Sequence, residues 1–170
     1  MKVVIVNTAA DKGGAAVAAN RLMQSLCAAG VECNMLVRES NGAQANVQVF
    51  SSNYFLLKWN QALFFLELLL LRFFKRNGKE FSLATFGPNL ADHPLVKNAD
   101  VINLHWAQNG YLRLSELQAI QNLGKPIAWT LHDMWAITGG CHYNEDCRKF
   151  ESECNHCHLL KNDSINNVSS

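Results

Sequence analysis

What this sequence lacks narrows it first. Its basic and acidic residues nearly cancel, leaving a formal net charge of +1. No broad field therefore exists to hold nucleic acid or an acidic polymer. No G-x-G-x-x-G fingerprint follows a predicted strand, and no G-x-x-x-x-G-K-[ST] loop is present. Those absences argue against a Rossmann dinucleotide site and a P-loop. An acidic residue at the end of the second predicted strand is also missing, since Glu39 comes late, after Arg38, in a polar run. The chain has no internal repeat. At its start only Val3–Val6 are continuously apolar, too short for a secretory h-region, so a cytoplasmic setting with reduced thiols is expected. An unbroken membrane span is lacking too. The apolar stretch Phe55–Phe74 approaches the ~20 residues a bilayer requires, but Lys58, Asn60, Gln61, Glu67 and Arg72 interrupt it.

What is present reads as an α/β domain. The 170 residues, 49% of them hydrophobic, suffice for one domain with a real core. Val3–Val6 has the continuous apolar character of a strand buried on both faces. A polar, glycine-ended loop, Asn7–Gly14, leads into a helix whose apolar face is marked by Ala15, Ala18, Ala19, Leu22, Leu26 and Ala29. Gly30 ends that helix, and Val31–Val37 forms a second strand. Val47–Phe50, Asp100–Trp106 and Ile127–Leu131 read as further strands, Phe55–Phe74 as a long amphipathic helix. Ser115–Gln118 has the form of a capping box opening a helix that Gly124 ends. Strands alternating with helices imply a Rossmann-like, mostly parallel sheet with helices on both faces, over residues 1–160, followed by a polar tail at 161–170. The long helix is expected either to pack on the sheet or to lie on a membrane surface, where Lys58, Arg72, Lys75, Arg76 and Lys79 would favour anionic lipid across 55–79.

Three groups could carry chemistry. Lys12-Gly13-Gly14 follows the first strand and opens the first helix, where free N–H groups and absent side chains suit a phosphate or a sugar hydroxyl. A tight turn that needs glycine would look the same. His105-Trp106 and His132-Asp133 fall at the ends of predicted parallel strands, where α/β sheets place their ligands. An imidazole there can donate, accept or titrate near neutral pH. Asp133 is adjacent to His132 in sequence, but strand neighbours point to opposite faces. Cys141, Cys147, Cys154 and Cys157 crowd into one loop, and the closing C-x2-C is a zinc-type half-site, with His142, His156 and His158 as spare ligands. A structural zinc, two disulfides and reduced thiols are all compatible with that pattern. Four thiolates would close the coordination sphere, so no catalytic metal is expected. Glu145 and Glu153 stand as E-x7-E, but on a charged loop where carboxylates are usually just solvated.

Three segments, KGGAAVAANRL (Lys12–Leu22), HPLVKNADVINLHW (His93–Trp106) and KPIAWTLHDMWAITGGCHY (Lys125–Tyr143), with the cysteine cluster running on to Leu159, resemble the N-terminal half of a glycosyltransferase family 4 enzyme of the bacterial polysaccharide-building kind. The resemblance implies a GT-B architecture whose N-terminal domain binds chiefly the acceptor, a glycan or lipid-linked sugar. A second domain binds the nucleotide-sugar donor. It implies transfer with retained anomeric configuration and no catalytic metal. Carried onto this chain, Gly13-Gly14 would lie near the donor phosphates and acceptor, His132 would reach the donor sugar, and Asp133 would orient that loop. His105 and Trp106 fall on the substrate side. The donor domain, with its E-x7-E element, has no counterpart in these residues, and the Glu145/Glu153 pair is not a match for it. Negligible transferase activity of these residues alone is therefore expected. A non-catalytic, zinc-stabilised module that binds a partner or a membrane surface is the alternative reading.

Overall fold

The computed structural model describes residues 1–74, 80–154 and 157–161. Five strands form one sheet: β1 (Lys2–Ala9), β2 (Glu32–Glu39), β3 (Val47–Val49), β4 (Val101–Leu104) and β5 (Ile127–Trp129). Their spatial order is β3-β2-β1-β4-β5, and every neighbouring pair is parallel. Four helices accompany them: α1 (Gly13–Ala28), α2 (Tyr54–Phe74), α3 (Pro94–Asn98) and α4 (Leu114–Gln121). The Rossmann-like α/β architecture expected from the sequence is present.

Alternate residues of the strands feed two separate cores, as a two-sided sheet requires. Val3, Ile5, Cys33, Met35 and Val37 pack with Ala19 and Met23 of α1 on one face. Val4, Val6, Leu36, Ile102 and Leu104 pack with Val96, Tyr111 and Ile120 on the other. The buried face of α1 is turned from the expected one. Ala16, Ala19 and Met23 are its buried residues, and Ala29 is exposed. Leu22, Leu26 and Cys27 flank the buried stripe, so the contact runs between the rows anticipated from the leucines. Cys33 belongs to the core, and burial, with Cys27 nearby, pushes its thiol up to about 11.

The capping box at Ser115 does not form. α4 begins at Leu114 with Arg113 as its N-cap residue and no side-chain cap. Glu116 is instead buried, accepting from the Ala91 N–H at 2.6 Å and from the Arg113 guanidinium at 3.2 Å. The short α3 was not anticipated. His93 opens it by accepting the Leu95 N–H on Nδ1, and Pro94 occupies the first turn, where its missing N–H costs nothing.

Helix α2 departs from ordinary amphipathic design. The residues it buries are Asn60, Glu67 and Leu71. Phe55, Trp59, Phe65, Leu69 and Phe73 face solvent. Glu67 is 2% exposed. Its two carboxylate oxygens accept the backbone N–H groups of Leu83, Ala84, Thr85 and Phe86 at 3.1–3.4 Å. A satellite cluster of Leu71, Phe81, Leu159 and Leu160, backed by Cys141 and Cys157, joins the end of α2 to the cysteine loop. Of the polar tail expected at 161–170, residues 162–170 lie outside the described residues, as do 75–79 with their three cations.

Candidate functional site

In the strand order, β1 sends its chain to one side of the sheet through α1, and β4 lies on its other side. This is the topological switch point, where the loops after adjacent strands diverge and leave a crevice. The backbone there is tied tightly. His105 N–H donates to the Val6 carbonyl, Thr8 N–H to the Trp106 carbonyl, and Trp106 N–H to Asn7 Oδ1. Thr130 N–H continues the β4–β5 pairing onto the Leu104 carbonyl, so His132 follows β5 by three residues.

The result is an open cleft of about 400 Å³ whose walls include Lys12, Gly13, Gly14, Glu80, Trp106, His132, Asp133 and Tyr143. Five of the residues singled out in the sequence, Gly13, Gly14, Trp106, His132 and Asp133, therefore meet in one place although the first and last are far apart in the sequence. Gly13 has φ +83°, a backbone that L side chains rarely adopt. Gly14 carries no such constraint, and a Cβ added there would meet nothing within 4 Å. No side chain caps the N-terminus of α1, leaving its first N–H groups and positive dipole end open to the cleft.

His105, expected to touch substrate, is not on the cleft surface. It is 2% exposed, and its Nδ1 lies 2.9 Å from His132 Nε2. His105 Nε2 is buried with no hydrogen-bond partner among the described residues. Burial, reinforced by His132, lowers the His105 pKa to about 4. At neutral pH the ring is uncharged, and one ring nitrogen of the pair donates to the other. His132 is half-buried and so presents the rest of its ring to the cleft from a fixed mount. A pH dependence follows from the sign of the shift. Between the free-histidine value of 6.5 and about 4, the unfolded chain takes up a proton that the native chain refuses. Native stability should fall by about 3 kcal/mol across that window and not further below it. Urea titrations at several pH values check this, with His105→Asn expected to lack that part of the slope.

Asp133 belongs to a different network. Its Oδ2 accepts from the Trp106 indole N–H at 2.7 Å and lies 2.6 Å from His142 Nδ1. Its Oδ1 accepts the Trp135 backbone N–H at 2.9 Å. His142 Nε2 in turn lies 2.8 Å from Ser82 Oγ, and the Ser82 carbonyl accepts the Trp135 indole N–H. Burial pushes the Asp133 carboxyl up, but the hydrogen bonds from His142, Trp135 and Trp106 outweigh it and hold the group below its ordinary value. Asp133 thus fastens the loop and the Trp106 ring rather than pairing with His132. His142, read from sequence as a spare metal ligand, is 2% exposed and committed to Asp133. Ser82 carried no sequence signal, and Trp135, although it lies within the Lys125–Tyr143 segment, was not singled out there.

The four clustered cysteines do converge. Cys141, Cys147, Cys154 and Cys157 line one small apolar cavity with Phe81, Phe150 and Leu160. Burial raises the Cys141 thiol, with Cys157 and Cys154 adding to the effect against a hydrogen bond from Thr138. No cysteine is disulfide-bonded among the described residues. Among the described residues no group of three or more His, Cys, Asp or Glu side chains stands close enough to hold a metal ion. His156 lies outside the described residues. Gly140, at φ +131°, lets the Phe81 ring lie where a Cβ would sit at 2.6 Å, which seats the turn after Thr138.

Fold and geometry together define a Rossmann-like half-domain with an open cleft at its switch point. Comparison with known proteins adds one relation. Over 70 residues the chain is 29% identical to WcaC of Escherichia coli (strain K12), described as a colanic acid biosynthesis glycosyl transferase. The matched stretch is 41% of this chain and 17% of that protein's length. The relation is glycosyltransferase-like. No family model matches the chain, and no solved structure matches it.

Proposed function

We propose that these residues form the acceptor-side half of a retaining sugar transferase of GT-B type, in which a nucleotide-sugar donor and a glycan or lipid-linked acceptor meet in the switch-point cleft. The observation that carries this reading is the convergence of the uncapped, side-chain-free start of α1 with the imidazole of His132. A sugar or phosphate can approach the backbone at Gly13-Gly14, while His132 accepts from or donates to a sugar hydroxyl. The similarity to a polysaccharide glycosyl transferase agrees with that chemistry. Asp133 is assigned a positioning role through Trp106 and His142. The reading assigns no step to a metal and puts the reaction in the cytoplasm.

The cleft is open, and in this reading a donor-binding domain would supply its facing wall. Incubated alone with nucleotide-sugars, the 170-residue protein should show no turnover beyond background, and sustained turnover would overturn the half-site reading. Binding is tested by saturation-transfer NMR with UDP- and GDP-hexoses and with short oligosaccharides. Gly14→Ala is the sharpest probe. Its Cβ enters open space, so the fold should be unchanged or more stable by about 0.5–1 kcal/mol, while ligand signals at the cleft weaken severalfold. His132→Ala should weaken them as well. Saccharide and nucleotide-sugar signals that are absent in the parent, or indifferent to both substitutions, would sink the proposal.

A further inference from the structure

Helix α2 presents its apolar side to the outside. The stripe it turns inward is Leu57, Asn60, Phe64, Glu67 and Leu71, a helical spacing in which two of five members are polar. Outward stand Phe55 (81% exposed), Trp59 (64%), Phe65 (58%), Leu69 (51%) and Phe73 (66%). Exposed apolar patches of this continuity on a polar-rimmed protein mark an interaction surface. Length and composition alone would let α2 cross a membrane. Its buried contacts argue otherwise, because a spanning helix would have to withdraw Glu67 from four backbone N–H groups.

The charges on the helix select the occupant. Within Tyr54–Phe74 the sole acid, Glu67, is buried, whereas Lys58 and Arg72 are exposed. The outer face therefore carries cations and no anion, near either end of an apolar band. The sequence continues with Lys75, Arg76 and Lys79. A second copy of this chain fits poorly. Isologous antiparallel pairing centred on Phe65 would set Lys58 of one copy against Arg72 of the other, with no acid on the helix to relieve them. An anionic lipid surface meets both features at once, since acyl chains take up the aromatic and leucine side chains and headgroup phosphates take up the cations.

We propose that α2 docks flat on an anionic bilayer, its Phe55–Phe73 face in the interface and its Glu67 face on the protein. The inference rests on α2 alone and stands apart from the sugar-transfer reading. It is tested with the full 170-residue chain and vesicles of phosphatidylglycerol with phosphatidylethanolamine, against vesicles of phosphatidylcholine. Co-sedimentation should be strong on the first and weak on the second. Lys58→Gln with Arg72→Gln should reduce binding to the anionic vesicles about 30-fold and leave the phosphatidylcholine result unchanged. Phe65→Glu with Leu69→Glu should reduce it at least ~100-fold. Trp59 provides a readout in the unmodified fold: its emission should shift to the blue on anionic vesicles, a change missing in Trp59→Phe. Equal binding to both vesicle types, or no Trp59 shift, overturns the proposal. So does a lipid-free dimer that Phe65→Glu with Leu69→Glu dissolves while vesicles fail to bind.

Discussion

Replacing Asp133 by alanine should destabilise the protein by about 3 kcal/mol or more, a larger effect than any other single change in the cleft. The carboxylate receives two donors, the Trp106 indole N–H and the Trp135 backbone N–H, and also holds His142 Nδ1. Its side chain is 7% exposed and that of His142 is 2% exposed. Water cannot readily replace what is removed, so the stranded groups keep their full desolvation penalty. A fall in the thermal midpoint of roughly 10 °C is expected for a chain of this size. His132→Ala, which breaks one bond to His105 at a half-buried position, should cost far less in stability and more in ligand binding. That contrast tests the proposed division between Asp133 as positioning residue and His132 as the group that meets substrate. The carboxyl is held below its ordinary value, so its contribution is present above the unfolded value of about 3.8 and lost as pH falls through the lower folded value. An Asp133→Ala protein with an unchanged urea midpoint would show that the network is ornamental.

Glu67→Ala should be comparably damaging, at about 3–5 kcal/mol. Four consecutive backbone N–H groups, from Leu83 to Phe86, converge on one carboxylate. Without it they have no acceptor, because that segment belongs to no strand or helix. Glu67→Gln keeps the shape but replaces one acceptor oxygen with a donor, and should lose roughly half as much. Amide hydrogen exchange gives the direct readout. The Leu83–Phe86 protons should be slow in the parent and fast in Glu67→Ala. The disturbance should also reach the cleft, since the neighbouring Ser82 bonds His142, and His142 holds Asp133. Slow exchange that survives the substitution would mean the carboxylate is not what organises the segment.

Those two residues show where sequence reasoning stops. Asp133 was visible as a polar residue at a predicted strand end, and adjacency alone did not make it a partner of His132; β5 in fact stops at Trp129, and both residues line the cleft. The identity of its partner was not legible. His142 sits among cysteines and reads as a ligand there, and only the turn at Gly139-Gly140 brings it back beside Asp133. Glu67 reads as an interruption of an apolar helix. Nothing in its local pattern says that it points inward, because amphipathic logic assigns charge to the outside. His105 and His132 stand 27 residues apart. Each was recognisable as a group at a strand end, but that one is buried and carries the other follows from the packing of β4 between β1 and β5.

Sequence alone determined the parallel α/β class and the approximate positions of the five strands. These follow from alternation, helical spacing and glycine placement, which are local signals, and from topology rules that leave few arrangements open. Tertiary structure decided which polar groups are buried and what satisfies them. A buried donor takes whatever acceptor the packed chain brings within about 3 Å, from any distance along the sequence. The same reason explains why α2 turns Glu67 inward, where four backbone N–H groups take up its carboxylate, and leaves its apolar residues outside.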